Sequence, residues 1–283
     1  VSDLETRDTL ADRARQENFP VASFLLPRDE RTKLLAVYAF ARLTDDVGDE
    51  ADGDRLRQLD AIERELDAAA AGTARHPVFT QLEPILPELD CGLAPFRDLI
   101  EANRVDQRVH AYATFDDLRA YCMLSAAPVG RIVLSIFSST SPERVARSDE
   151  VCIGLQLVEH LQDVGEDAHR GRVYLPLEDL ARAGSDPAEL TAPAATAGLR
   201  LVIARESRRA AALLANGDQL AATLAARPRL AVLGFVAGGR AALDSIERAA
   251  FDVLARSCRV AKRDLARRMV GGALAAWRAR SAV

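Results

Sequence analysis

Apolar residues recur at three- and four-residue intervals along most of the chain, the spacing that gives an α-helix one greasy face. Between Arg31 and about Glu50, positions 34, 35, 37, 38, 40, 41 and 43 are apolar. That density exceeds what a surface helix carries and predicts a buried one. Further helices are predicted around Arg55–Ala71, Pro95–Val109, Phe115–Leu124, Gly130–Ser138, Glu143–Glu166, Leu199–Leu213, Leu230–Leu254 and Lys262–Ala279. Gly and Pro place breaks at Gly72–Pro77, Pro84–Pro95, Ser138–Pro142, Gly171–Pro176 and Arg227–Pro228. Val173–Leu175 reads as a short extended piece, and no alternating run is long enough to build a sheet. No repeat or linker divides the sequence, apart from a small Ala/Thr/Pro stretch near Leu190–Gly198. The expected fold is therefore an all-α helical bundle, with residues 1–283 forming a single domain.

Composition narrows the function. Lys plus Arg number 37 and Asp plus Glu 42, so the net charge is −5, and no clustered basic face for nucleic acid is expected. The apolar stretches Leu230–Gly239 and Ile132–Pro142 are bounded by Arg229, Arg240 and Arg131, well short of the roughly 20 residues that span a bilayer. Asp3, Glu5, Arg7 and Asp8 make the beginning of the chain unlike a secretory signal. Cysteines 91, 122, 152 and 258 are scattered without CxxC spacing and read as reduced thiols of a cytoplasmic protein.

Two acidic stretches do not fit a plain bundle. The first, Asp45-Asp46-Val47-Gly48-Asp49-Glu50, ends the most apolar helix. Asp45 and Asp49 are i,i+4 neighbours, an arrangement that costs about 0.2–0.5 kcal/mol per like-charge pair when nothing neutralises it. Acids are also disfavoured at a helix C-terminus. Taken alone, this stretch reads as a solvated helix end leading into an acidic loop. In the second, Glu159, Asp163 and Asp167 stand at i, i+4 and i+8 on an otherwise apolar helix and share one face. They need positive charge, either from His169, Arg170 and Arg172 in an ion-pair network or from a bound cation. Carboxylates alone select a hard ion, and Mg²⁺ takes one or two carboxylates and completes its shell with water and substrate phosphate. A zinc site through His160 lacks a second His or Cys at i+4. Arg42, one turn before Asp45 and Asp46, is either their ion-pair partner or a phosphate ligand.

These segments resemble the squalene/phytoene synthase family of head-to-head isoprenoid synthases. Residues 38–50, YAFARLTDDVGDE, are similar to its first aspartate-rich motif, and residues 156–176, QLVEHLQDVGEDAHRGRVYLP, to its second. Residues 121–130, YCMLSAAPVG, resemble its tyrosine-containing cavity helix. The resemblance runs from about Glu17 to about Arg256, and the segments at Glu17–Ser23 and Leu25–Pro27 are most like the hydroxysqualene synthase branch. Glu159 stands where Asn is common in the family, Gln162 where Arg is frequent, Arg15-Gln16 where several relatives have His-Ser, and Ala127 where Asn or Asp is frequent.

The resemblance implies an isoprenoid-synthase helical fold with a central cavity. The implied reaction takes presqualene diphosphate and water to hydroxysqualene and diphosphate, in squalene and hopanoid synthesis. Two or three Mg²⁺ ions would assist ionisation, and no NADPH would be used. Presqualene diphosphate, squalene or phytoene synthesis from two prenyl diphosphates is the alternative; a catalytically inactive helical scaffold and a Mg²⁺-dependent diphosphate hydrolase are more distant ones. It further implies metal ligands at Asp45, Asp46, Asp49, Glu159, Asp163 and Asp167, with Asp45, Asp163 and Tyr121 catalytic. Diphosphate contacts fall to Asn18, Arg42, Gln156, Arg172, Tyr174 and Arg256, although Arg172 could equally pair with Glu166 or Asp167. Cavity lining falls to Phe19, Tyr38, Phe40, Leu124, Ala126, Val129, Gly130 and Leu155, positions that each also suit plain core. Such greasy molecules imply handover to other squalene-pathway enzymes and at most peripheral contact with the inner membrane surface, where Lys262–Arg280 could graze lipid.

Overall fold

The computed structural model describes residues 28–256 and Cys258. Among these residues there is no strand, and the helical class expected from the periodicity is what is found. The predicted helix Lys262–Ala279 and the segments at Glu17–Ser23 and Leu25–Pro27 lie outside the described residues, as do Asn18 and Phe19.

The described chain forms two compact units. The first comprises residues 28–108 and 128–145. Its central helix α1 (Arg28–Asp49) packs against α2 (Arg55–Ala70), α3 (Pro77–Leu82) and α4 (Ala94–Asp106). Asp54 caps α2 by accepting from Arg57 N at 3.1 Å. Phe40 is the middle of this core, with no solvent exposure and edge-on contacts to Phe79 (5.8 Å between centroids) and Phe96 (5.3 Å). The expectation that Phe40 lines a substrate cavity is corrected accordingly: its ring is consumed by core packing.

The second unit comprises residues 109–127, 146–256 and 258. It contains α5 (Phe115–Ser125), most of α7 (Pro142–Gln162), α8 (Val164–His169), α9 (Leu177–Arg182), α10 (Ala197–Leu214), α11 (Asn216–Thr223) and α12 (Ala226–Arg248). A capping box starts α5: Thr114 Oγ1 accepts from Asp117 N, and Asp117 accepts from Thr114 N. A short helix α6 (Ala127–Ile136) follows α5 directly, and Pro128 occupies its first turn rather than kinking one continuous helix. Close approaches at glycine bring α7 against its neighbours. A Cβ on Gly154 would lie 3.1 Å from Leu213 Cβ, and one on Gly239 would lie 2.8 Å from Leu155 Cδ2.

Several predicted boundaries move. The single helix expected over Glu143–Glu166 is interrupted at Asp163, whose backbone (φ −109, ψ 13) leaves the helical range. The interruption sends α8 onto the 3₁₀ turn Pro187–Thr191, with Gly165 close to Leu254. The break expected at Arg227–Pro228 is instead the first turn of α12, where proline's missing N–H is not required. That helix stops at Arg248 and not near Leu254, because Ala250 (φ 52) and Phe251 (φ 60) turn left-handed. Asp252 then anchors the chain, accepting from Ala195 N at 2.9 Å and from Arg200 Nη2 at 2.6 Å. Of the Val173–Leu175 piece, Val173 is the residue that pairs, while the chain bends at Leu175. The pairing is an isolated parallel bridge, Ala111 with Val173, and Val173 N donates to His110 O at 2.7 Å.

Candidate active site

In the first unit, the apolar stripe of α1 faces the core through Phe40, Thr44 and Gly48, which turns Asp45 and Asp49 outward. Thr44 donates its hydroxyl proton to Phe40 O at 2.9 Å, satisfying a polar group that has no exposure. Arg42 Nη2 pairs with Asp46 Oδ1 at 2.9 Å, so the ion-pair reading of Arg42 holds. Its Nε is nevertheless buried without a hydrogen-bond partner, which leaves a donor for a further acceptor. Asp45 reaches solvent, yet protein crowds it closely enough that desolvation pushes its carboxyl up to about 6. Asn103 opposes that rise by donating to Asp45, while the negative charges of Asp49 and Asp46 add to it.

In the second unit, Glu159, Asp163 and Asp167 stay linked in spite of the helix interruption. Asp163 N donates to Glu159 O at 3.0 Å, and Asp167 N donates to Asp163 O at 2.8 Å. The i, i+4, i+8 relation of the three therefore survives the change in backbone direction. All three side chains are partly buried. Burial, followed by the Asp163 charge, pushes Asp167 up to about 7; Arg172 and Arg170 act in the other direction. Arg170 is engaged with Glu166 at 2.9 Å. Gln162, in place of the arginine frequent in the family, donates to Cys258 O at 2.9 Å.

The same unit holds an aromatic patch that only partly follows from the motifs. Tyr121 on α5 and Tyr174, next to Val173, were expected site residues; Tyr112 and His160 join them. The His160 ring lies flat on Tyr174 (3.9 Å, 11°), and Tyr174 stacks with Tyr121 (5.7 Å, 29°) and Tyr112 (6.0 Å, 22°). Burial drives the His160 ring down to about 3, so it is a neutral imidazole, and its Nε2 is buried with no hydrogen-bond partner. The bridge between Ala111 and Val173 is what sets Tyr112 beside Tyr174.

Of the other expected residues, Gln156, Arg172, Leu124 and Leu155 are half-buried in the second unit, Ala126 is buried there, and Arg256 is exposed. In the first unit, Tyr38 is half-buried, Gly130 buried and Val129 exposed. Sequence reasoning missed Asn103. The signal available was a polar residue continuing the apolar stripe Phe96, Leu99, Ile100 of α4.

The Squalene/phytoene synthase family profile matches residues 12–265. The chain belongs to the squalene/phytoene synthase family. It is 31% identical over 252 residues to a phytoene synthase of Arthrospira platensis, covering 84% of this chain and 82% of that one. It is 36% identical over 214 residues to a hydroxysqualene synthase of Rhodopseudomonas palustris, covering 74% and 72%. Its fold matches the crystal structure of squalene synthase HpnC from Alicyclobacillus acidocaldarius with a TM-score of 0.80 at 41% identity, over 87% of this chain and 94% of that one. A dehydrosqualene synthase crystallised with a ligand superposes with a TM-score of 0.85 at 24% identity, over 94% of both chains, and bears on the fold alone.

Both acidic stretches offer carboxylate oxygens, donors that suit a hard divalent cation. Among the described residues, no three His, Cys, Asp or Glu side chains cluster into a ready metal cage. No helix among the described residues is long and apolar enough to cross a membrane.

Proposed function

We propose that this squalene/phytoene synthase family enzyme is a hydroxysqualene synthase, converting presqualene diphosphate and water to hydroxysqualene and diphosphate. Two or three Mg²⁺ ions, when bound, would neutralise the departing diphosphate and so favour cleavage of its carbon–oxygen bond. Asp45, Asp46 and Asp49 are the proposed metal ligands of the first unit; Glu159, Asp163 and Asp167 are those of the second. In the second unit Gln156, Arg172, Tyr174 and Arg256 are proposed to serve diphosphate oxygens; Asn18 and, in the first unit, Arg42 are proposed diphosphate contacts as well.

The observation that carries this reading is the company the second acidic face keeps. The unit that bears Glu159, Asp163 and Asp167 also bears four stacked rings, Tyr112, Tyr121, Tyr174 and His160. Carboxylates suit the metal–diphosphate end of a substrate, and π faces suit a carbocation. In the second unit Tyr121 steadies that cation, and Leu124, Ala126 and Leu155 keep bulk water away; Phe19, Tyr38, Val129 and Gly130 are proposed as apolar lining too. His160 Nε2, buried without a partner, is a polar atom beside those rings that can hold the one water which captures the cation. Water capture needs no hydride, so no nicotinamide enters. The phytoene synthase of Arthrospira platensis favours the second reading, condensation of two prenyl diphosphates.

Product analysis separates the two. Purified protein with Mg²⁺ is expected to turn presqualene diphosphate into hydroxysqualene at a rate indifferent to NADPH, and to leave farnesyl and geranylgeranyl diphosphates uncondensed. In the same assay, His160→Leu is expected to shift product from alcohol toward hydrocarbon. A C40 product from geranylgeranyl diphosphate would establish the second reading instead. The greasy product points to handover to other squalene-pathway enzymes from a cytoplasmic protein that touches the inner membrane surface only peripherally. Flotation with anionic liposomes is expected to carry a minor fraction of the protein, and wholly floating protein would refute that.

A further inference from the structure

The first acidic face is held from behind by α4. Asn103, only 7% exposed, donates through Nδ2 both to Asp45 Oδ1 at 3.0 Å and to Leu99 O at 3.2 Å. Both protons of the amide are thereby used, each on an acceptor. A flipped amide would set its oxygen against a carboxylate and a carbonyl, so its orientation is fixed by its surroundings. The helix α1 makes room for this contact at one glycine: a Cβ on Gly48 would lie 2.0 Å from Asn103 Oδ1. One turn further along, Gln107 Nε2 donates to Gly48 O at 2.9 Å and to Asn103 O at 3.0 Å. Asn103, Gln107 and Gly48 thus latch the last turn of α1 in one register against α4.

A latch between helices alone would not need an amide here. Burying one is unfavourable unless its hydrogen bonds are made, and an apolar side chain would pack the same gap. What the amide adds is control of one carboxylate. With Oδ1 engaged by Asn103, Asp45 presents Oδ2 as its free oxygen. We infer that Asn103 is a positioning residue that restricts Asp45 to one-oxygen ligation and thereby favours Mg²⁺ over Ca²⁺. Magnesium demands near-octahedral geometry that a two-oxygen carboxylate bite distorts, whereas calcium accepts both oxygens and a larger shell. The inference rests on the proposed role of Asp45 as a metal ligand. Partners behind a ligand of this kind typically affect metal affinity by about 10–100-fold.

The test reads metal binding without turnover. Mn²⁺ bound to the full chain is followed by the electron-paramagnetic-resonance signal of the free ion, and Mg²⁺ or Ca²⁺ is titrated in to displace it. In the unaltered protein Mg²⁺ is expected to displace Mn²⁺ at lower concentration than Ca²⁺. In Asn103→Leu, Mg²⁺ competition is expected to weaken about tenfold while that of Ca²⁺ is kept or strengthened. Gly48→Ala, which leaves the amide in the chain but pushes it aside, is expected to change the ratio in the same direction. Asn103→Ala, smaller than the native side chain, serves if the leucine variant packs badly. An unchanged Mg²⁺-to-Ca²⁺ ratio in these variants, including an equal loss for both ions, overturns the inference and reduces the contact to a helix latch. Asp45→Asn distinguishes the underlying reading: if it leaves Mn²⁺ binding intact, Asp45 is no ligand and the metal assignment itself fails.

Discussion

Asp163→Asn is expected to lower turnover of the proposed substrate, presqualene diphosphate, by about 10²–10³-fold, the scale on which single groups that stabilise developing charge contribute. The substitution is nearly isosteric. It keeps the backbone links from Glu159 O to Asp163 N and from Asp163 O to Asp167 N, so the junction between α7 and α8 should survive. What it removes is one negative charge from a face where Asp167 is already pushed up to about 7 by burial and by Asp163. The Mg²⁺ concentration giving half-maximal rate should rise as well, since the face that attracts the cation is weakened. Steady-state release of diphosphate across a Mg²⁺ series measures both effects, and far-ultraviolet circular dichroism checks the helices. Wild-type kinetics in this variant would remove the second acidic face from the chemistry, whatever its likeness to the family motif.

What the sequence revealed, and what it hid, divides by the range of the interactions involved. The helix α1 was legible because its burial is written in its own spacing, and the acidic run at its end breaks that pattern within a few residues. The helices α3, α9 and α11 were not seen, because six to eight residues make only about two turns, too few for an apolar stripe to stand out. At Asp163 the local pattern predicts continuity, and the interruption coincides with packing of α8 on a turn some 25 residues later, at Pro187–Thr191. Phe40 looked like cavity lining because it sits in the motif, yet its partners Phe79 and Phe96 come from other helices. The stacking of His160 on Tyr174, and of Tyr112 beside them, depends on a bridge between residues 62 positions apart, 111 and 173. Asn103 is the more instructive miss. Its position on an apolar stripe is visible in the sequence, but its purpose is set by Asp45, 58 residues earlier.

The largest stability effect is expected at Asp179, which touches no solvent. Its carboxylate accepts from Arg182 at 2.9 Å and pairs with Arg205 at 3.2 Å and with Arg209. The Arg209 guanidinium also lies 4.3 Å over the Phe115 ring, and Phe115 N donates to Glu178 Oε1 at 3.1 Å. Asp179 therefore joins α9 and α10 to the start of α5, the helix that carries Tyr121. Asp179→Ala removes the buried acceptor that Arg182, Arg205 and Arg209 share, and since these arginines are partly exposed and Arg209 keeps Glu206, the loss is expected to reach at most the roughly 3–5 kcal/mol of a broken buried pair. Urea unfolding followed by circular dichroism should show that loss, and a midpoint unchanged from wild type would mean the arginines find water instead. Glu206 in the same cluster gives the effect a pH signature. Burial pushes it up to about 7, with Arg209 opposing and Asp179 adding to the rise. A carboxyl raised on folding stabilises fully below its unfolded value near 4.5 and loses that contribution as pH climbs through about 7. Asp179, held low by its arginines against the effect of burial, acts in the opposite sense and at lower pH, losing its contribution as pH falls through its folded value. Between pH 5 and 7.5, stability should therefore decline with rising pH on account of Glu206. Glu206→Gln should flatten that slope, matching wild type at pH 5 and exceeding it at pH 8 by about 1–3 kcal/mol. Asp45 and Asp167, raised in the same way, leave part of the slope in place; if the glutamine variant is no shallower than wild type, Glu206 is ionised throughout and the cluster is held by charge pairing alone.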